Sequence, residues 1–127
     1  MILGIDLGKK TTGLAISSGQ LVSPYKTITH KSTIEAINKI STICQEESIN
    51  KIIIGYVEGK IKKYFENFAQ KLKQHNPQTD VVLWDETLTS RQATESMIKL
   101  DISKNKRRQK IHEIAACIIL QSYLDEM

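Results

Sequence analysis

The chain has 127 residues and a formal net charge of +4, with 40% hydrophobic and 25% charged residues. Its length fits one domain over residues 1–127 and is too short for two. No apolar run approaches the roughly 20 residues of a membrane-spanning helix, and the N-terminus lacks the pattern of a signal peptide, so we expect a cytoplasmic protein with no membrane partner.

Three short strands are predicted at the N-terminus, over Ile2–Leu7, Gly13–Ser18 and Leu21–Thr29. The first strand is an apolar run that nevertheless carries a carboxylate at Asp6. Burying an unpaired charge costs several kcal/mol, so a strand keeps such a residue where something compensates it. A bound cation or a phosphate–Mg²⁺ complex would do so, and Asp6 is therefore a candidate residue for metal-dependent phosphate chemistry.

Helices and strands alternate after the third strand. In chain order they are predicted as a helix over Ile34–Glu47, a strand over Lys51–Gly55, an amphipathic helix that stops at Asn76-Pro77, a strand over Asp80–Trp84, a short helix from Thr89 or Ser90 to Lys99, and a final helix over Lys106–Leu124. The predicted core face of the second helix consists of Ile61, Tyr64, Phe65, Phe68, Ala69 and Leu72. The order βββαβαβα, with the short helix before the last one, predicts an α/β fold with a five-stranded mixed sheet and helices on both faces.

Acidic residues follow three strands of this predicted sheet. Asp6 lies near the end of the first strand, Glu58 lies beyond the fourth, and Asp85 and Glu86 end the fifth. In sheets of this kind chemistry gathers at the carboxyl ends of parallel strands. We therefore expect these acids to meet at one edge of the sheet.

Basic residues are concentrated between residues 104 and 110, directly before the last helix, and basic stripes of this kind suit nucleic acid. The residues predicted to contact nucleic acid are Lys9, Lys10, Lys104, Lys106, Arg107, Arg108 and Lys110. The two cysteines, Cys44 and Cys117, have no metal-binding spacing and are predicted to be small buried thiols.

Two phosphate-binding alternatives fail on the first glycine-rich segment. As a P-loop, Gly4–Lys9 is one residue too short, and Lys10 stands where Ser or Thr would hold Mg²⁺. The segment Asp6–Gly13 is similar to the first phosphate motif of the actin-like and sugar-kinase ATPases. Those enzymes close two domains over ATP, which 127 residues cannot supply.

Five segments resemble the YqgF/RuvX family, and they span nearly the whole chain in the family's order. They are ILGIDLG at 2–8, GLAIS at 13–17, IIIG at 52–55, DETLTS at 85–90 and AACIILQSYL at 115–124. The resemblance implies an RNase H-like fold related to the RuvC Holliday-junction resolvase. It also implies a bacterial nuclease that matures the 5′ end of pre-16S rRNA, with junction resolution as the alternative.

The resemblance also implies a site in which carboxylates hold two Mg²⁺ or Mn²⁺ ions about 3.5–4 Å apart. Asp6 corresponds to the central metal ligand. Asp85 and Glu86 match the family's acidic pair, of which Glu86 is favoured as the ligand for its reach.

The sequence departs from the family at two positions. His112 stands where the family has an aspartate before its last helical motif, and it could bind metal or relay protons. Glu113 could replace that aspartate, although neighbouring residues lie about 100° apart around a helix. Glu58 could stand in for the family's loop acid in a shortened loop.

Three functions stay open at this stage. The first is a nuclease acting on structured RNA such as pre-rRNA, with ribosomal precursor particles as further partners. The second is a nuclease acting on branched DNA, and the third is an RNA-binding assembly factor with weak or no catalysis. The sequence is compatible with a monomer or a homodimer.

Overall fold

One mixed sheet organises the computed structural model, which describes residues 1–19, 21–57, 61–85 and 104–126, with residues 104–110 given by their backbone alone. The described elements are β1 (Ile2–Asp6), β2 (Thr11–Ser17), β3 (Val22–Thr29), α1 (Thr33–Glu46), β4 (Lys51–Tyr56), α2 (Lys62–His75), β5 (Asp80–Asp85) and α3 (Lys104–Asp125). The strand order is β3-β2-β1-β4-β5. The pairs β1–β2 and β2–β3 are antiparallel, whereas β1–β4 and β4–β5 are parallel. The predicted five-stranded mixed sheet is confirmed.

Each face of the sheet carries its own hydrophobic core, as predicted. Along β1, successive side chains point to opposite faces. Leu3 and Ile5 belong to the larger core, which α1 and α2 cover. On the other face, Ala15 and Ile53 pack against Leu120 of α3 in a smaller core. The strand β4 is buried on both sides, which explains its continuous apolar run.

Some residues predicted to lie in the core are exposed. Phe65, Phe68 and Leu72 form the buried row of α2, whereas Ile61 and Tyr64 are exposed. Ile61 precedes the first helical residue, and Tyr64 lies beside the buried row with its ring edge against Phe65. The predicted core face of α2 was therefore correct from Phe65 onward and wrong at Ile61 and Tyr64.

The two cysteines are free thiols. Cys44 is buried and Cys117 is half-buried. Burial raises the pKa of Cys44 to about 11 and, with the charge of Glu113 adding to it, the pKa of Cys117 to about 12. Both thiols are therefore protonated at neutral pH, as expected for structural cysteines.

The predicted short helix from Thr89 or Ser90 to Lys99 lies outside the described residues. Among the helices that the structure describes, none combines the length and the apolar character needed to cross a lipid bilayer.

Candidate active site at the carboxyl end of β1

Asp6 is the last residue of β1, and its side chain points to the α3 face of the sheet. Gly4, two residues earlier on the same face, lies directly under Ala116 and Leu120 of α3. The Asp6 side chain is only 21% exposed, and its Oδ2 atom lies 3.1 Å from Nδ1 of His112. The sheet and the last helix thus bring together two of the three predicted metal ligands.

Glycine at position 13 makes this contact possible. Gly13 is paired with Asp6 across the β1–β2 ladder. A Cβ atom at Gly13 would lie 2.1 Å from the backbone oxygen of His112, so α3 rests directly on the glycine backbone. The helix therefore passes close enough to Asp6 for the His112 side chain to reach it. Gly13 was not predicted as a site residue from the sequence, and its role follows from its observed pairing with Asp6.

The environment of Asp6 disfavours its charge. Burial raises the pKa of the Asp6 carboxyl, and the hydrogen bond and charge of His112 offset that rise only in part. An additional positive charge beside it would therefore stabilise the ionised form of this carboxyl group.

The two donors fit a divalent cation. A carboxylate oxygen is a preferred ligand of Mg²⁺, and a neutral imidazole is a common ligand of other divalent ions. Adjacent ligands of an octahedral ion, each about 2.1 Å from it, lie about 3 Å apart. The separation of 3.1 Å between Asp6 Oδ2 and His112 Nδ1 matches that spacing.

A complete metal cluster is not found within the described part of the chain, where no group of three His, Cys, Asp or Glu side chains is placed to hold a metal ion. Two of the predicted site residues, Glu58 and Glu86, lie outside the described residues.

Asp85 ends β5 on the opposite face of the sheet from Asp6. Val82 and Trp84 pack in the core beneath α3, whereas Leu83 packs in the larger core on the other face. Strand alternation places Asp85 on the face of Leu83. By this alternation, Asp85 and Asp6 lie on opposite faces of the sheet.

The side chain of Glu113 contacts β3, whereas the side chain of His112 contacts Asp6 on β1. Its Oε2 atom accepts a hydrogen bond of 2.8 Å from Oγ1 of Thr27 on β3. Thr27 pairs with Gly13 on the side away from Asp6. Two strand spacings separate the backbones of Asp6 and Thr27, about 10 Å in all. Thr27 was not predicted from the sequence, and no signal in the sequence pointed to it.

The predicted basic residues lie near the carboxyl end of β1, where Asp6 is located. Lys9 and Lys10 are exposed in the turn that follows Asp6. Helix α3 runs antiparallel to β1, since His112 lies over Gly13 and Leu120 lies over Gly4. The helix begins at Lys104, eight residues before His112. At 1.5 Å per residue, its basic N-terminal turns project about 12 Å past the level of Asp6.

A mixed sheet in the order 3-2-1-4-5, with an acid ending the central strand beneath the last helix, is the arrangement of an RNase H-like α/β protein. The family model for RuvX, described as Holliday junction resolvase, matches residues 1–126, and the chain belongs to this family.

Known relatives agree with this assignment. The chain is 39% identical to the "Putative pre-16S rRNA nuclease" of Caldanaerobacter subterraneus subsp. tengcongensis, over 98% of this chain and 95% of the relative. Its fold is similar to the crystal structure of the fowlpox virus Holliday junction resolvase, with a TM-score of 0.62 and 12% identity over 99% of both chains. It is also similar to Thermus thermophilus RuvC in complex with a Holliday junction substrate, with a TM-score of 0.57 and 12% identity over 98% of this chain and 94% of the other.

Proposed function

We propose that this protein is a metal-dependent nuclease that hydrolyses phosphodiester bonds in structured RNA, acting on the 5′ end of pre-16S rRNA in the cytoplasm. The observation that carries this proposal is the largely buried Asp6 carboxylate, 3.1 Å from His112 at the carboxyl edge of the sheet. The name of the relative from Caldanaerobacter supports the choice of substrate. Ribosomal precursor particles are the natural setting for such a substrate.

Asp6, His112 and Glu86 are the residues proposed to hold Mg²⁺ or Mn²⁺. When bound, such ions activate water and stabilise the leaving oxygen of a phosphodiester. Asp6 supplies a carboxylate oxygen, and His112 supplies Nδ1. The ring of His112 is 44% exposed, which leaves its Nε2 atom for proton exchange with solvent or substrate.

The remaining acids have distinct proposed roles. Glu86 is preferred to Asp85 because Asp85 continues the face of Leu83, away from Asp6. Glu58 is proposed as an additional ligand from the loop after β4. Glu113 is proposed to support the site by anchoring α3 to Thr27 rather than by binding metal.

The basic residues are proposed to bind the phosphate backbone of the substrate. Lys9 and Lys10 lie next to Asp6 in the chain, and the residues of 104–110 occupy the projecting turns of α3. Contacts of this kind release counterions, so binding should weaken steeply as salt is raised.

The proposal is tested by cleavage of a 5′-labelled pre-16S rRNA leader transcript in the presence of Mn²⁺. The wild-type protein should cleave it, and Asp6→Asn should abolish cleavage while leaving the protein folded. Asp80→Asn is the matched control, because Asp80 is an exposed aspartate at the other end of the sheet. Equal cleavage by the Asp6→Asn variant would refute the proposal. Salt-sensitive RNA binding without any turnover would instead indicate a binding-only assembly factor.

A second candidate function is the resolution of four-way DNA junctions, which the description of the family model favours. The chemistry at Asp6 would be the same, and only the substrate would differ. Resolution requires cuts in two strands, so it would also require two copies of this site. Cleavage of a synthetic four-way junction, compared with the leader transcript under the same conditions, distinguishes the two candidates.

A further inference from the structure

A buried histidine outside the proposed metal site contacts the turn that follows Asp6. His30 lies directly after β3 and is only 4% exposed. Its backbone N–H donates a hydrogen bond of 2.9 Å to the carbonyl oxygen of Lys10. Its imidazole Nε2 shares a hydrogen bond of 2.8 Å with Oγ1 of Thr12, a side chain that is fully buried.

The hydroxyl of Thr12 extends this connection across the turn. Its Oγ1 atom also accepts a hydrogen bond from the backbone N–H of Gly8, at 3.4 Å. His30 therefore holds the turn at both ends, at Gly8 through Thr12 and at Lys10 directly. Lys10 is thus itself one point of attachment, and Lys9, the other basic residue of this turn, lies between Gly8 and Lys10.

The turn itself has little steric freedom. A Cβ atom at Gly8 would lie 2.2 Å from the backbone oxygen of Thr11, so the chain folds back on itself without room for a side chain. Two backbone groups of this tight turn are paired, since the N–H of Gly8 donates to Thr12 and the carbonyl of Lys10 accepts from His30.

Burying an imidazole at position 30 costs folding free energy. Its Nδ1 atom has no hydrogen-bond partner among the described residues. Burial lowers the pKa of His30 and the charge of Lys39 lowers it further, whereas the charge of Glu35 and the backbone of Ser32 raise it. An apolar ring of similar size would avoid the unpaired nitrogen but would lose the bond to Thr12. The distinctive contribution of His30 is therefore its contact with the turn.

We propose that His30 is a positioning residue that fixes the β1–β2 turn and thereby holds Lys9 and Lys10 in place for a nucleic-acid backbone. This inference rests on the proposed function, because it assumes that the two lysines bind phosphate groups. It assigns a role in substrate binding to a residue that touches neither metal nor substrate.

The experiment is a double-mutant cycle on binding affinity. Binding of a labelled stem–loop RNA and of a four-way DNA junction is measured in EDTA, below the melting temperature of every variant. His30→Phe should weaken binding about 2- to 10-fold, the range for loss of one net hydrogen bond. It should have no further effect in the background of Lys9→Ala and Lys10→Ala. His30→Phe should also lower the salt dependence of binding toward that of the double lysine variant.

Two further variants separate positioning from general stability. His30→Gln places an amide group where Nε2 lies in the wild type, so it should restore wild-type affinity. His75→Phe is the control at the far end of α2, where Nδ1 of the ring lies 2.9 Å from the carbonyl oxygen of Lys71, and it should bind as the wild type does. Amide hydrogen exchange provides a readout without any ligand, because the Gly8 amide should lose protection in His30→Phe and keep it in His30→Gln.

The outcomes distinguish the two proposals. Equal weakening by His30→Phe in both backgrounds, or unchanged protection of the Gly8 amide, would refute the positioning role and leave the proposed function standing. A wild-type protein that binds neither probe would refute the proposed function and, with it, this inference. Loss of the His30 effect in the lysine background, together with rescue by glutamine, would support it.

Discussion

Substituting Gly13 by alanine tests whether the close approach of α3 to the sheet creates the active site. The new Cβ atom would lie 2.1 Å from the backbone oxygen of His112, 2.2 Å from its carbonyl carbon and 2.7 Å from its Cβ atom. Two of these contacts are to helix backbone, which cannot rotate away. The helix must therefore move off the sheet by about 1.3 Å or more to reach ordinary contact distance.

The expected consequences are a loss of activity and a loss of stability. Overpacking of this kind typically costs about 1–3 kcal/mol, which should lower Tm by roughly 4–12 °C in a chain of this size. The same movement separates His112 Nδ1 from Asp6 Oδ2, which are now 3.1 Å apart. A displacement of about 1 Å in a catalytic group costs on the order of 100-fold in rate, so cleavage should fall by about that factor.

The assay is single-turnover cleavage of the leader transcript, with carboxyl ¹³C NMR as a readout independent of substrate. Because burial raises the pKa of Asp6 and His112 lowers it, and the movement of α3 alters both, the titration of Asp6 should change in Gly13→Ala. Gly4→Ala is the matched control: its Cβ would lie 2.8 Å from Leu120 Cβ and 2.9 Å from the backbone oxygen of Ala116, at the same helix but away from His112. It should destabilise the protein with a smaller effect on cleavage. A folded Gly13→Ala variant with wild-type cleavage and an unchanged Asp6 titration would refute this reasoning.

Four further predictions concern stability. Because burial raises the pKa of Asp6 above 3.8, the charged carboxylate lowers stability at neutral pH, and Asp6→Asn should raise Tm in EDTA. Mn²⁺ at about 100 times its dissociation constant should stabilise only the wild type, by about 2.7 kcal/mol, in a thermal shift assay. Thr27→Val should cost about 1 kcal/mol in urea unfolding, since Glu113 loses its hydrogen bond, whereas Thr27→Ser should cost less. The pKa of His30 is lowered from 6.5 in the folded state, so the unfolded chain binds the proton more readily and stability should fall as pH drops below about 6.5. His30→Phe should weaken that pH dependence in urea titrations, and an unchanged profile would contradict it.

The fold could be predicted because its signals are local. Apolar runs, helical periodicity and the alternation of elements after β3 gave the strands, the helices and both covered faces of the sheet. The prediction was wrong where apolar residues follow the helical spacing but are not covered by a neighbouring element, as at Ile61 and Tyr64 at the start of α2. A hydrophobic pattern records which side of a helix is apolar, but it does not record where the neighbouring element ends.

The site was predicted only in part, because its contacts join distant segments. Asp6 was identifiable as a charge in a buried strand, and His112 as a departure from the family motif. That the two touch depends on Gly13, whose role follows from the register of β1 and β2. The bonds of Glu113 to Thr27 and of His30 to Thr12 span 86 and 18 residues, and no local pattern encodes either pairing.

Anomalous diffraction from a crystal soaked in Mn²⁺ would show whether Asp6 and His112 hold a divalent ion. We expect an anomalous peak about 2.1 Å from Asp6 Oδ2 and close to His112 Nδ1, which disappears in crystals of Asp6→Asn. Manganese bound at other acidic residues, with no peak beside Asp6, would show that these two side chains do not form the metal site.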